Sequence, residues 1–124
     1  FAPNARIDLQ PNGAYELSFD PEAAPGSRGG EGNVVLGIEP ESMLTVSWNA
    51  PPHFPEMRDQ RTVVVFRFAD ADGGGTELQL THLGWGDGDD WEAVYTYFRE
   101  AWGEVVLPRL QRRFVEGPVD WEDV

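Results

Sequence analysis

Polar and apolar residues alternate along the first two thirds of the chain, a pattern that predicts β-strands with one buried face. Asn12-Gly13 between the first two runs tolerates positive φ and predicts a hairpin turn. Segments 21–32 and 49–60 are rich in Pro or Gly and predict long connections. Six strands are therefore expected: Ala5–Gln10, Ala14–Phe19, Asn33–Glu39, Met43–Trp48, Arg61–Ala69 and Thr76–Leu83.

The pattern changes after Gly88, where apolar residues recur every three or four positions, as on one face of an amphipathic helix. Asp89 or Asp90 is expected to cap its start. Pro108 should kink the helix, with Gly103 as a second weak point. The predicted helix runs from Trp91 to Val115, about 37 Å, and its apolar positions are Trp91, Val94, Tyr95, Phe98, Ala101, Trp102, Val105, Val106, Leu110 and Phe114.

Strands followed by one long helix predict an α+β fold, because the apolar stripe of such a helix must be buried against a sheet. We expect a curved antiparallel sheet wrapped around the long C-terminal helix. Where the sheet and the helix separate, this arrangement leaves a cavity between them. The length of 124 residues suits a single domain, predicted over residues 1–116 with a tail at 117–124.

The charge of the chain excludes some classes of partner. Nine basic residues, all Arg, stand against 22 acidic ones, and the net charge is −13. Such a chain is repelled by phosphate backbones, so nucleic-acid binding is not expected. The sequence has no Cys and no long apolar run, which favours a cytoplasmic protein without membrane insertion.

Three groups of residues carry a resemblance to a known family. They are Ile38-Glu39-Pro40 with Leu44 and Trp48; Gly75-Thr76 with Leu78, Leu80, Thr81 and His82; and Trp91 with Tyr95, Tyr97, Phe98, Trp102 and Leu107. The sequence resembles the SRPBCC (START/birch-pollen-allergen-like) superfamily, in the branch named for the activator of heat-shock-protein-90 ATPase, homologue 1-like. The resemblance extends from Phe1 to about Phe114.

The resemblance implies a helix-grip fold, in which a strand and two short helices precede six strands and the long C-terminal helix. Here the N-terminal strand and the two short helices are missing from the sequence given, and Phe1 and Pro3 fall where the second short helix ends. We interpret the sequence as an N-terminally incomplete domain. The alternative is a protein that is this short, in which a homodimer covers the open sheet edge.

The resemblance also implies a cavity that takes hydrophobic or amphipathic small molecules, lipids among them, without a cofactor. An alternative interpretation is that the large inward-facing side chains fill the core and leave no space. The residues that we expect to line the cavity are Tyr15, Leu17, Leu36, Trp48, Phe66, His82, Tyr95, Phe98 and Trp102.

Two side chains raise the question of chemistry. His82, at a strand end on the inward face, could act as a general base with Tyr95 or Trp48 in a cyclase or hydrolase; the structural interpretation, a His bonded to a backbone carbonyl, is favoured. Arg28 could close over an anionic ligand head, although a solvated Arg is the simpler interpretation. His53 lies far from His82 in the sequence, so no metal site is expected.

A binding module is therefore preferred to an enzyme, because the sequence supplies many apolar walls and one candidate titrating group. A partner-binding role like that of the chaperone activator is the third alternative.

Overall fold

The computed structural model describes residues 2–122; Phe1 and the last two residues of the predicted tail lie outside the described residues. All six predicted strands and the long helix are present. Their bounds are β1 Asn4–Ile7, β2 Tyr15–Ser18, β3 Val35–Glu39, β4 Met43–Trp48, α1 Pro55–Arg58, β5 Thr62–Asp70, β6 Thr76–Leu83, α2 Asp89–Glu100, a π-helical segment Ala101–Val106, and α3 Leu107–Glu116.

The strands form a two-stranded sheet, β1-β2, and a four-stranded sheet, β3-β4-β5-β6, both antiparallel. An isolated bridge from Ala14 to Val34 connects the start of β2 to the start of β3, and a second bridge, from Ser18 to Gly29, connects the end of β2 to the loop between them. The chain therefore follows one curved meander in sequence order. Among the described residues β1 pairs only with β2, so one edge of β1 is unpaired; its pairing with a second copy stays a prediction.

The concave face of the sheet carries the core, because alternate residues of each strand point to the same side. Trp48 lies opposite Thr62, and Val64 lies opposite His82. These residues meet the buried stripe of the helix, so the fold is the α+β helix-grip predicted from the sequence. The buried hydrophobic cluster comprises Tyr15, Leu17, Val35, Val46, Trp48, Ala50, Met57, Val64, Phe66, Trp91, Val94, Phe98 and Trp102.

The long helix begins two residues before the predicted start. Gly88 occupies the N-cap position and no side chain caps it, so the expectation that Asp89 or Asp90 caps the helix is wrong. Both carboxylates lie instead in the first turn, where negative charge favours the helix dipole.

The predicted weak point at Pro108 takes the form of a widened turn just before it. Pro108 has no N–H, and its ring crowds the carbonyl one turn earlier. In the π-helical segment the N–H of Leu107 donates to the carbonyl of Trp102, five residues back, instead of four. The helix thereby continues through Pro108 to Glu116.

Candidate functional site

A groove of about 740 Å³ lies between the long helix and the two loops that the sequence predicted. Residues 97–109 of the helix form one wall, residues 19–30 a second, and residues 48–53 a third. Its apolar lining consists of Phe19, Trp48, Ala50, Pro51, Pro52, Tyr97, Phe98, Ala101, Trp102, Val105 and Val106.

The widest part of the helix faces this groove. Ala101, Trp102, Val105 and Val106 belong to the π-helical segment, and all four contribute to the lining. Such segments are frequent at functional sites, since the inserted residue changes which side chains face a pocket.

Nine side chains were predicted to line a cavity. Three of them, Trp48, Phe98 and Trp102, line this groove. The rings of Trp48 and Trp102 lie 5.1 Å apart, centroid to centroid. Because all three side chains are less than a tenth exposed, they form the base of the groove and part of the core at once. Their part in ligand binding stays a prediction.

Three other predicted side chains, Tyr15, Leu17 and Phe66, are buried in the core and do not line the groove. They fill the space between sheet and helix, as the core interpretation expected. Burial raises the pKa of Tyr15 to about 12, so its phenol stays neutral in this environment.

The expectation that Leu36 and Tyr95 face inward is wrong, since their side chains are 46% and 47% exposed. The register of β3 shifts between Val35 and Gly37, and this bulge leaves Leu36 outside the alternation. Tyr95 follows the buried Val94, and one residue turns an α-helix by about 100°. Its ring lies edge-on to Trp85, 5.4 Å between centroids.

His82 joins the last strand to the helix through hydrogen bonds on both ring nitrogens. The indole N–H of Trp102 donates to Nδ1 at 3.1 Å. Nε2 lies 2.7 Å from the hydroxyl of Thr62, which in turn lies 3.4 Å from the carbonyl oxygen of Trp48. An indole can only donate, so Nδ1 accepts and Nε2 carries the proton.

This environment keeps His82 neutral. Burial lowers the pKa of His82 to about 4, and a proton on Nδ1 would face the N–H of Trp102. Its bonds go to side chains and not to the backbone carbonyl expected from the sequence. Tyr95, one of its proposed catalytic partners, contacts Trp85 instead. The geometry therefore gives His82 a structural role.

Sequence reasoning missed Arg58, whose side chain holds both loops of the groove in place. Its guanidinium donates to the carbonyl oxygens of Ala50, Gly26 and Gly29, the last two at 2.8 Å. Only the scarcity of basic residues marks it in the sequence. The loops are therefore held together by one cation and several carbonyl oxygens.

Glu31 stabilises the same loop from within. Its carboxylate accepts hydrogen bonds from the backbone N–H groups of Gly26, Arg28 and Gly29. Burial opposes the charge of Glu31, but these three N–H groups and the guanidinium of Arg58 outweigh it and hold the pKa of Glu31 below its ordinary value.

A buried amide pair continues this network below the groove. The side-chain N–H₂ of Asn33 donates to the amide oxygen of Asn49 at 3.1 Å, and Ser47 donates to the amide oxygen of Asn33. Asn49 in turn donates to the carbonyl oxygen of Gly29 at 3.1 Å. In the sequence, polar side chains within or next to predicted strands were the only signal for this network.

Within residues 2–122, no group of three His, Cys, Asp or Glu side chains is placed to hold a metal ion. No helix in the same range is long and apolar enough to cross a membrane.

Comparison with known proteins gives the family of the chain. Searches of curated proteins and of solved structures found no significant match. The family described as "Activator of Hsp90 ATPase homolog 1-like protein", part of the SRPBCC superfamily, matches residues 1–114. Membership supports a ligand-binding or chaperone-associated domain. Because the family model matches nearly the whole chain and the architecture is a helix-grip, the chain belongs to the Activator of Hsp90 ATPase homolog 1-like family.

Proposed function

We propose that the protein binds a hydrophobic or amphipathic small molecule in the groove between the long helix and the loops at residues 19–30 and 48–53. The observation that carries this proposal is the groove itself, about 740 Å³ and floored by Trp48, Phe98 and Trp102. Ligand sites of small molecules are typically concave, largely apolar and of this size.

The rigidity of the walls supports binding. A preformed site does not have to order its loops when the ligand arrives, and this reduces the entropic cost of association. Arg58 and Glu31 fix the loop at residues 19–30 through hydrogen bonds to its backbone. The floor of the groove is fixed as well, because Trp102 is hydrogen-bonded to His82.

An enzyme of the cyclase or hydrolase type receives less support, because His82 uses both ring nitrogens in structural hydrogen bonds. The chaperone-associated alternative rests on family membership, and no contact among residues 2–122 favours it over ligand binding.

A neutral fluorescent probe, N-phenyl-1-naphthylamine, tests the proposal by titration. We expect saturable binding near one probe per chain, seen as a rise in probe fluorescence. The substitution Ala101→Phe places a ring in the groove wall and should weaken binding about tenfold or more. Ala93→Phe is the matched control, since Ala93 is an exposed residue of the same helix that does not line the groove.

The result that overturns the proposal is an absence of saturable binding, or an equal effect of both substitutions. Thermal unfolding of both variants, followed by circular dichroism, excludes a loss of folding as the cause.

A further inference from the structure

We propose that the ligand is an amphipathic anion whose oxyanion head, a carboxylate or phosphate, binds the guanidinium of Arg28 while its apolar body lies on Trp48, Phe98 and Trp102. This inference rests on the proposed function and adds the chemical class of the ligand. Arg28 lines the same groove as the three rings.

The backbone of Arg28 is fixed although its loop is rich in Gly and Pro. Its N–H donates to the carboxylate of Glu31, and its carbonyl oxygen accepts from the N–H groups of Phe19 at 2.8 Å and Asp20 at 3.0 Å. Three hydrogen bonds therefore hold the residue in place before a ligand arrives. A fixed backbone reduces the conformational freedom that binding must remove.

The side chain of Arg28 is held in one orientation, but not all of its hydrogen-bond donors are used. Its Nε–H donates to the carbonyl oxygen of Ala23 at 2.9 Å, which fixes the plane of the guanidinium. Within residues 2–122 its two terminal nitrogens have no hydrogen-bond or ion-pair partner, and the side chain is only half-buried. Two parallel N–H groups of a guanidinium match the two oxygens of a carboxylate or phosphate.

The other two arginines of the groove have different contacts. Arg58 uses its guanidinium on the carbonyl oxygens of Ala50, Gly26 and Gly29. The guanidinium of Arg109 lies over the ring of Trp121, 4.9 Å from its centroid. Arg28 is therefore the groove arginine that we assign to the ligand.

The lining of the groove is less acidic than the chain as a whole. The groove is lined by three of the nine arginines but by only three of the 22 acidic residues, Asp20, Glu100 and Glu104. The charges of the lining therefore balance, on a chain with a net charge of −13. Outside the lining, the carboxylate of Glu31 contacts the N–H of Arg28 and lies 3.8 Å from the guanidinium of Arg58, whose charge it offsets. Carboxylates more than about 8 Å away are screened at physiological salt.

Displacement of bound N-phenyl-1-naphthylamine tests the inference with three ligands of ten carbon atoms each: decanoate, decyl phosphate and neutral 1-decanol. The variant is Arg28→Gln, and Arg67→Gln on the outer face of β5 is the matched control. We expect Arg28→Gln to raise the decanoate concentration for half-displacement about tenfold and to leave that of decanol unchanged. Arg67→Gln should change neither.

Decyl phosphate distinguishes the head groups. An equal dependence on Arg28 for both anions assigns the site to oxyanions in general, and a dependence for one anion alone assigns that head group. Arg28→Lys, which keeps the charge but loses the planar pair of donors, should lie between wild type and Arg28→Gln.

Two results overturn the inference: Arg28→Gln affects decanol as much as the two anions, or it affects none of the three ligands. Both leave the proposed function intact, because it depends on the probe and on Ala101→Phe. Failure of the probe to bind defeats the proposed function itself, so the two failures are distinguishable.

Discussion

The indole N–H of Trp102 donates a hydrogen bond to Nδ1 of His82, 3.1 Å away, and this contact links the long helix to the last strand of the sheet. Thr62 on β5 completes the link at Nε2. Because Trp102 also floors the groove, the same hydrogen bond positions a core side chain and a proposed binding surface.

The neutrality of His82 makes the stability of the fold depend on pH. Burial lowers the pKa of His82 from 6.5 to about 4. Between these values the unfolded chain binds a proton that the folded chain does not, so folding is disfavoured as the pH falls from 6.5 towards 4. The contribution of His82 is fully present above pH 6.5, and its loss approaches about 3 kcal/mol near pH 4.

Urea unfolding between pH 4 and 7.5 measures this dependence, and His82→Gln is the comparison because glutamine does not titrate in this range. We expect a weaker pH dependence for the variant than for the wild type over this window. Identical pH profiles for both proteins would contradict the prediction. Nitrogen NMR of the wild type at pH 7 should give the tautomer with the proton on Nε2.

The fold was predictable to a large extent because its elements have strong periodic signals. The β-branched and aromatic residues of 62–70 and the three- and four-residue spacing after Asp89 specify β5 and the helix directly. The bulge at Leu36 was not predictable, since it depends on how β3 pairs with β4 and not on the local pattern. The π-helical segment depends on Pro108, and the sequence indicated a kink but not its form.

The candidate site was predictable at its floor and in the position of its loops, but not in the contacts that hold those loops. Trp48, Phe98 and Trp102 follow from periodicity, because inward-facing positions are spaced regularly. Its loop walls depend on long-range hydrogen bonds, such as that from Arg58 to the carbonyl oxygen of Gly29, which join segments far apart in the chain. No local pattern encodes such contacts.

Two glycines, one just before the long helix and one in its middle, should respond to alanine in opposite directions. A Cβ on Gly86 would lie 2.2 Å from Nε1 of the buried Trp91, so Gly86→Ala should lower the free energy of unfolding by about 1–3 kcal/mol. Gly103 is exposed in the π-helical segment, and a Cβ there meets nothing within 4 Å. Gly103→Ala should therefore raise the free energy of unfolding by about 0.5–1 kcal/mol.

Urea unfolding followed by tryptophan fluorescence measures both variants. A similar effect of the two substitutions would indicate that backbone freedom, and not the contact with Trp91, dominates at residue 86.

Arg58 should matter more for stability than an exposed arginine. Arg58→Ala leaves the carbonyl oxygens of Ala50, Gly26 and Gly29 without their charged donor. We expect a loss of about 2–4 kcal/mol in the free energy of unfolding. Arg6→Ala is the control, because the side chain of Arg6 is 80% exposed and its ion pair with Glu16 should contribute less than about 1 kcal/mol.

Chemical denaturation gives both free energies, and amide hydrogen exchange locates the change. Faster exchange at Ser27 and Arg28 in Arg58→Ala, without a comparable change in β5, is the expected pattern. Equal losses for the two arginine variants would contradict the role of Arg58 in holding the two loops together.

The loop that presents Arg28 should loosen when Glu31 loses its charge. Hydrogen bonds from Gly26, Arg28 and Gly29, together with Arg58, outweigh the opposing effect of burial and hold the pKa of Glu31 below 4.5. The carboxylate therefore stabilises the folded loop above pH 4.5, and this contribution is lost as the pH falls through the lower pKa of the folded state. Glu31→Gln removes the charge at every pH and should produce the loosened loop already at pH 7.

Amide chemical shifts of Gly26 and Gly29 report on this loop. In the wild type they should change as the pH falls below 4.5, and in Glu31→Gln they should differ from the wild type at pH 7. Glu77→Gln, an exposed position on β6, is the control and should leave both shifts unchanged. Because Glu31 positions the backbone of Arg28, Glu31→Gln should also weaken the displacement of the probe by decanoate while leaving 1-decanol unaffected. A Glu31→Gln variant with wild-type shifts and wild-type decanoate affinity would show that the loop holds Arg28 without this carboxylate.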